Sequence, residues 1–419
     1  MSAGIGSMST DPTYLLADQY RDASNLHARM ELHERFRRFG VTRCLARPYC
    51  GVRPRVSSTR AVLRRLTPAL AVALIATACQ VSQTPAPVGV ALLKAGTPRR
   101  LTDRAALSPA AWAPDGQALA YADRQGMWIA ELGGRERKVV ATGVATAVDW
   151  SPRTGLLAYI DQGKVWVIRP DGAGRRRIPL PPQNGIPAFA THLIWAPGGD
   201  RLAVAVQSAR EAPTRGRVWL VSPDGGFRRL VFEAPSGQAV AALQWFPDSL
   251  YLFIALGPED GPREVTRLLR WRVVYPDRRT LPRPIPGMVE PRLSPNGRWI
   301  AFVAPEPSRS EEEHVWVMRV DGTGLRRLSR EAGHTTSLAW APASDKVAYA
   351  RVLDEARGEV WVADVEGGGR LRVADFTAEF PDPNLPLVVQ WSSDGRHLAF
   401  GSNSGSYTGP IWVLRLERR

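Results

Sequence analysis

The chain has 419 residues, of which 44% are hydrophobic and 23% are charged. These proportions are typical of a folded globular protein and exclude a wholly disordered chain. Its 55 basic and 40 acidic residues give a net charge of +15, and its three cysteines are too few for a disulfide scaffold.

The first predicted element is a short apolar segment. Residues 66–78 (LTPALAVALIATA) carry no charge, and four arginines precede them between positions 55 and 65. As a helix this run would span about 20 Å, which is shorter than the ~30 Å core of a bilayer. A basic flank, a short apolar core and small residues at the end are the parts of a secretory signal peptide. We therefore predict an export signal over residues 55–79.

The apolar run ends in Ala76-Thr77-Ala78-Cys79, which resembles a bacterial lipobox, although Ala76 stands where leucine is usual. The resemblance implies lipidation of Cys79 and attachment to the outer side of a bacterial membrane. Simple secretion is the alternative, because Ala76-Thr77-Ala78 also fits ordinary signal cleavage. A buried helix is the other alternative, and the flanking charges argue against it.

Residues 1–54 precede this signal, although a signal peptide belongs at the start of a chain. A start site assigned too far upstream explains this extension, and a cytoplasmic tail is the alternative. Residues 80–94 follow the signal and begin with a polar, proline-containing stretch. This composition predicts a linker.

From residue 95 onwards the sequence repeats, with steps of 38 to 51 residues. Each repeat opens with a turn motif of the Trp-Ser-Pro-Asp-Gly type, followed by an aliphatic run. The repeats begin at Trp112, Trp150, Trp195, Trp245, Leu293, Trp340 and Trp391. A second tryptophan lies in a Val-Trp-Val type run further along each repeat: Trp128, Trp166, Trp219, Trp271, Trp316, Trp361 and Trp412. These two positions account for 13 of the chain's 14 tryptophans, so the repeat is not a chance feature.

Each repeat predicts four strands, which we call a to d. Strand a runs into the first tryptophan, the Pro-Asp-Gly turn leads to strand b, and the alternating run around the second tryptophan is strand c. An Asp-Gly turn then leads to strand d. Four short strands in every repeat are typical of a β-propeller. We therefore predict an all-β, seven-bladed propeller of four-stranded antiparallel blades over residues 95–419.

The seventh repeat stops after strand c. Upstream of the first repeat, residues 97–102 (TPRRLT) have the sequence of a strand d without a repeat of their own. We predict that this N-terminal strand completes the last blade and closes the ring, so that no blade is one strand short.

The repeats resemble those of the TolB-type propeller family, in which a Trp-Ser-Pro-Asp-Gly turn precedes an aliphatic strand and a later strand ends in Asp-Gly. The resemblance covers residues 95–419. Local departures are Leu293 for tryptophan, Ser393 for proline and Asp248-Ser249 for Asp-Gly. Nothing matches the separate N-terminal domain of TolB. The resemblance implies a protein-binding or platform role, while a minority of such propellers regulate or form part of hydrolases.

Motifs for catalysis are missing from residues 80–419. The sequence lacks the Gly-x-Ser-x-Gly elbow, the His-Glu-x-x-His motif and the P-loop, and its Asp-Gly pairs lack the spacing of a calcium loop. We therefore predict no catalytic residue, cofactor or metal. His314 follows Glu311, Glu312 and Glu313, and we expect this acidic stretch to be a solvated loop rather than a carboxylate site.

Strand order places the a–b and c–d turns at one end of the propeller and the b–c and d–a loops at the other. The second set is predicted to be long and varied: residues 179–192, 206–217, 255–268, 303–314 and 375–387. Varied loops on a rigid scaffold are typical of binding sites. Candidate partner-binding residues near the channel mouth are Asp149, His192, Gln244, Arg292, His334 and Gln390.

Arginine accounts for all but four of the basic residues, and many arginines fall in strand d. Charge on that outer strand discourages edge-to-edge pairing with other chains. A basic belt attracted to acidic lipid or polymer is the alternative, and export argues against nucleic acid. We expect a monomeric, envelope-anchored scaffold that binds a protein or glycan. The alternative is a propeller enzyme of lyase, lactonase or glycosidase type, with its site at the channel mouth.

Overall fold

The computed structural model describes residues 89–90, 93–102, 110–123, 125–142, 145–182, 187–208, 215–259, 264–274, 278–282, 284–306, 309–330, 334–354, 357–375, 387–404, 407–408 and 410–418. The predicted extension 1–54 and the predicted signal with Cys79 lie outside these residues. Within the described ranges, no helix has the length and apolar character needed to cross a membrane.

The strands are numbered in chain order, beginning with β1 (Leu93–Ala95) and β2 (Arg99–Arg100). Blade 1 contains β3 (Ala111–Trp112), β4 (Ala118–Asp123), β5 (Gly126–Glu131) and β6 (Glu136–Val140). Blade 2 contains β7 (Ala145–Trp150), β8 (Leu157–Asp161), β9 (Lys164–Ile168) and β10 (Arg176–Ile178). Blade 3 contains β11 (Ala188–Trp195), β12 (Leu202–Ser208), β13 (Arg217–Val221) and β14 (Arg228–Glu233).

Blade 4 contains β15 (Gln238–Trp245), β16 (Tyr251–Pro258), β17 (Arg267–Arg272) and β18 (Arg278–Thr280). Blade 5 contains β19 (Val289–Leu293), β20 (Trp299–Glu306), β21 (Arg309–Arg319) and β22 (Arg326–Arg327). Blade 6 contains β23 (His334–Trp340), β24 (Lys346–Asp354), β25 (Arg357–Asp364) and β26 (Arg370–Asp375). Blade 7 contains β27 (Leu387–Trp391), β28 (His397–Ser404), β29 (Tyr407–Thr408) and β30 (Trp412–Arg418).

The strands form seven antiparallel sheets, and within blades 1 to 6 strands a to d are neighbours in sequence order. The predicted seven-bladed propeller is therefore confirmed. Strand b is the most deeply buried strand, because both of its faces meet neighbouring blades. Phe253 of blade 4 and Phe302 of blade 5 are fully buried and belong to one apolar cluster. Clusters of this kind, formed between successive blades, hold the ring together.

The ring is closed by the N-terminal strands, as the sequence predicts. Strand β30 pairs with β28 on one side and with β1 and β2 on the other. The Leu101 amide donates to the Ile411 carbonyl at 2.8 Å, and the Ile411 amide donates to the Thr102 hydroxyl at 3.1 Å. Strand β1 begins at Leu93, so the last sheet starts two residues before the predicted boundary of the propeller.

Basic residues of strand d lie opposite the tryptophans of strand c in six blades. The pairs are Trp128–Lys138, Trp166–Arg177, Trp271–Arg278, Trp316–Arg327, Trp361–Arg372 and Trp412–Arg100. Neighbouring arginines also stack on these rings: the Arg175 guanidinium lies 4.0 Å from the Trp166 ring centroid, and that of Arg370 lies 4.8 Å from Trp361. Part of the outer basic charge, at Lys138, Arg175, Arg326 and Arg370, therefore covers tryptophan rings through cation–π contacts.

The a–b turns keep their shape where the repeat departs from Asp-Gly. Ser249 adopts a left-handed backbone with φ of 57°, a conformation that ordinarily favours glycine. Its hydroxyl accepts a hydrogen bond from the Gly198 amide of the preceding turn at 3.2 Å. Ser344, with φ of 62°, accepts one from the Asn296 amide at 2.9 Å. At these two positions serine links neighbouring blades, a contact that glycine could not make.

The stretch 303–314 differs from the expected long loop. Strands β20 and β21 continue through it as a hairpin, with Ala304 opposite His314 and Pro305 opposite Glu313. The expectation of a solvated acidic loop is therefore wrong. The His314 side chain, on β21 of this hairpin, is only 1% exposed and contacts Ser329.

Candidate functional site

The inner strands carry a repeated irregularity in pairing. The register shifts within strand a in blades 2 to 6, which marks a β-bulge in each. A bulge adds one residue to one strand and re-aims its side chains. The residues skipped in the pairing include Thr146, Thr191, Ala241, Glu290 and Thr336, and all five line the central channel.

The channel contains a cavity of about 1220 Å³. All six sequence-predicted binding residues line it, and they come from strand a of six successive blades, 2 to 7. A second cavity of about 830 Å³ shares Gln244, Arg292 and Gln390 with the first and extends to the a–b turns at Pro247 and Pro295. The two cavities together follow the channel axis.

The six residues do not all ring the long-loop mouth. Asp149, Gln244, Arg292 and Gln390 each precede the last residue of strand a, which places them towards the a–b turns. His334 is the first residue of β23 and lies at the opposite end of the channel. The expected position near the mouth therefore fits His334. Asp149, Gln244, Arg292 and Gln390 lie deeper, next to the residue that ends strand a, and His192 lies in the middle of β11.

Asp149 links blades 2 and 3. One carboxylate oxygen accepts a hydrogen bond from the Trp195 amide of blade 3 at 2.7 Å, and the other accepts one from the Trp150 amide at 2.9 Å. Burial raises the pKa of the Asp149 carboxyl to about 6, and the two amide bonds only partly offset this effect. Asp149 thus has a structural role as well as a place in the channel wall.

Gln244 makes the equivalent link between blades 4 and 5. Its side-chain carbonyl accepts a hydrogen bond from the Leu293 amide at 2.7 Å. Another link runs from blade 6 to blade 5, where the Trp340 indole donates to the Arg292 carbonyl at 2.8 Å. In these blades the next-to-last residue of strand a therefore takes part in contacts between blades.

Arg292 and His192 offer polar groups to the channel. The Arg292 guanidinium lies 3.2 Å from the Glu290 carboxylate, and its side chain is 43% exposed. Glu290 has a positive φ of 51°, a strained conformation for glutamate. Burial, helped by the charge of Arg292, lowers the pKa of His192 to about 4, so His192 is neutral at pH 7.

The long-loop end of the channel carries a histidine–carboxylate pair. His334 Nδ1 lies 2.9 Å from Glu313 Oε2, and the His334 side chain is 69% exposed. Both residues line the larger cavity. Sequence reasoning missed Glu313 and Glu290, because the first was assigned to a loop and the second faces the channel only through the bulge.

No known family profile matches the chain. An uncharacterized protein of Agrobacterium fabrum is 32% identical over 117 residues, which cover 26% of this chain and 38% of that protein. The chain therefore spans well under half the length of this curated relative.

Several solved structures share the fold. An oligogalacturonate lyase in complex with manganese is 12% identical over 78% of this chain and 96% of that one, with a TM-score of 0.59. The oligogalacturonate lyase of Vibrio parahaemolyticus is 9% identical over 77% and 96%, with a TM-score of 0.60. A putative TolB from Agrobacterium tumefaciens is 20% identical over 68% and 94%, with a TM-score of 0.44. At identities this low, the two lyase structures establish similarity of fold alone.

Proposed function

We propose that this propeller is a binding scaffold of the bacterial cell envelope that receives part of a protein or glycan partner in its channel. Residues 55–79 would direct export, and lipid on Cys79 would anchor the chain. The observation that supports binding is that six successive blades each contribute a polar side chain to one cavity of about 1220 Å³. Concave sites with a few converging polar groups are typical of ligand binding.

The partners of the channel carboxylates favour binding over catalysis. Asp149 accepts hydrogen bonds from two backbone amides. Glu290 is paired with Arg292, and Glu313 is paired with His334. A general acid or base must be within reach of substrate and free to exchange a proton. Each of these three carboxylates already has a partner within the protein, which favours a positioning role.

The test first uses the full chain to capture its partner from an envelope extract. The affinity of that partner is then measured for the wild type and for variants. Arg292→Ala, His334→Ala and Gln390→Ala should each weaken binding by about 1–3 kcal/mol, the range for removing one polar interaction from a desolvated site. Arg176→Ala, Arg228→Ala and Arg326→Ala on the outer strands serve as matched controls. Loss of binding in the outer variants alone would favour the basic-belt alternative.

A lyase-type enzyme is the second candidate, and the strained backbone of Glu290 beside Arg292 supports it. Backbone strain of this kind is concentrated at functional sites. Incubation of the chain with acidic polysaccharides tests this candidate, because cleavage would release shorter fragments. Cleavage by the wild type that is lost in Glu290→Gln would favour the enzyme over the scaffold.

Lipid attachment requires a separate test. Metabolic labelling with a fatty acid should mark the wild-type chain and leave Cys79→Ala unlabelled. An unlabelled wild-type chain would favour simple secretion.

A further inference from the structure

A cluster of ionisable side chains lies in blade 5, outside the set of channel residues described above. Glu306 ends β20, while Glu312 and His314 are two residues apart on β21 and so share one face of that strand. Hairpin pairing brings the two strands together at this level. One ligand atom from each of the three residues lies within 4.8 Å of the other two.

His314 is buried with one ring nitrogen poorly satisfied. Its Nδ1 lies 3.3 Å from the Ser329 hydroxyl, whereas Nε2 has no hydrogen-bond partner among the described residues. Nε2 faces the carboxylates of Glu306 at 3.7 Å and Glu312 at 3.9 Å, distances too long for hydrogen bonds. A buried polar atom without a partner is costly and calls for an explanation.

We propose that Glu306, Glu312 and His314 form a binding site for one divalent transition-metal cation. His314 Nε2 and one carboxylate oxygen from each glutamate would be the ligands. One imidazole and two carboxylates form a nitrogen–oxygen ligand set of the kind that Mn²⁺ and Zn²⁺ accept. The inference goes beyond the proposed channel function and does not depend on it.

The geometry needs a contraction among three ligand atoms that lie within 4.8 Å of one another. Ligands bound at about 2.0–2.2 Å in a tetrahedral site lie roughly 3.3–3.6 Å apart. The nitrogen–oxygen distances of 3.7 and 3.9 Å are a few tenths of an ångström wider, and glutamate side chains can rotate to close them.

The surroundings of His314 suit a metal ligand. Burial lowers its pKa, which favours the neutral imidazole that binds metals. The Ser329 hydroxyl that contacts Nδ1 also accepts a hydrogen bond from the Val315 amide at 2.9 Å. Ser329 is thereby held in place and orients the ring, as outer-shell groups do at metal sites.

Arg327 opposes the proposed cation. Its guanidinium donates to Glu306 Oε2 at 2.8 Å and brings positive charge to the cluster. The same oxygen, Glu306 Oε2, lies 3.7 Å from His314 Nε2, and because a carboxylate oxygen has more than one lone pair it can accept from Arg327 and still bind a metal. Removal of the Arg327 charge should therefore strengthen cation binding, whereas a purely structural cluster would show no such gain.

Mn²⁺ is the suitable probe for the full chain. Zn²⁺ would also be attracted to thiolates at Cys44, Cys50 and Cys79, whereas Mn²⁺ prefers carboxylate and imidazole ligands. After treatment with a chelator and its removal, free Mn²⁺ can be followed by electron paramagnetic resonance during titration. The wild type is expected to bind one ion per chain at this site.

Variants assign the bound ion to the cluster. Glu312→Gln and His314→Gln should each weaken Mn²⁺ binding at least tenfold, as expected for the loss of a ligand. His397→Gln, which removes a histidine 3.8 Å from the Asp394 carboxylate in blade 7, should leave the affinity within twofold of wild type. Arg327→Gln should bind several-fold more tightly. Thermal unfolding checks that each variant is folded. If His314→Gln does not fold, Glu312→Gln still tests the site, because Glu312 is partly exposed.

Two results would overturn the metal site. One is the absence of saturable Mn²⁺ binding by the wild-type chain. The other is an unchanged affinity in the folded Glu312→Gln variant. Both are independent of the channel variants, so failure of this site would leave the proposed channel function untouched.

Discussion

Closure of the ring by β1 and β2 can be tested with two leucines. Leu93 and Leu101 are each 8% exposed and belong to different apolar clusters, one around Leu416 and the other around Val413. Replacing a buried leucine by alanine costs about 2–5 kcal/mol. Because the two clusters are separate, the effects should add, and the double variant should lose about 4–10 kcal/mol. This loss is comparable with the whole stability of a typical domain, about 5–15 kcal/mol.

Urea unfolding measures the loss, and amide hydrogen exchange locates it. In the double variant Leu93→Ala/Leu101→Ala, protection should fall first in residues 411–418, whose partners on one side are β1 and β2. Leu230→Ala is the matched control, because Leu230 lies on strand d of blade 3 and is 40% exposed. It should cost less than about 1 kcal/mol. A double variant as stable as this control, with residues 411–418 still protected, would refute closure by these strands.

Three further predictions concern the inner strands. Because burial raises the folded pKa of Asp149 from 3.8 to about 6, stability should fall as pH rises through this interval, and Asp149→Asn should flatten that part of the unfolding profile. The pKa of His192 is lowered from 6.5 to about 4, so stability should fall as pH drops through that range, and His192→Gln should lessen the loss in the same pH series. Gln244→Ala leaves the Leu293 amide without its side-chain acceptor and should cost about 1–3 kcal/mol in urea unfolding, against less than about 0.5 kcal/mol for the exposed Gln125→Ala.

The fold was largely predictable because the repeat signals are local. A turn motif before strand b and an alternating run in strand c depend on neighbouring residues, so they are visible in the sequence. Closure by residues 97–102 was also predictable. The sequence has one extra strand d before the first repeat and lacks strand d in the seventh repeat, so the extra strand can complete the last blade. The additional pairing of β1 was not, because its three residues carry no turn or periodic signal.

The candidate site was predictable only in part. The next-to-last residue of strand a does lie in the channel wall. Sequence alone, however, does not show that Asp149 and Gln244 accept hydrogen bonds from backbone amides of the next blade. Those contacts join residues 46 to 49 positions apart and depend on how the blades pack. Glu290 and the cluster around His314 were missed for similar reasons. A β-bulge turns Glu290 towards the channel, and the extension of β20 and β21 into a hairpin buries His314.

Contact of the partner with the channel is tested most directly by photocrosslinking in cells. A photoreactive side chain replaces His334 at the channel mouth in one strain and the exposed Arg176 on the outer strand in another. We predict covalent partner adducts from position 334 and none from position 176. Adducts from position 176 alone would contradict binding in the channel.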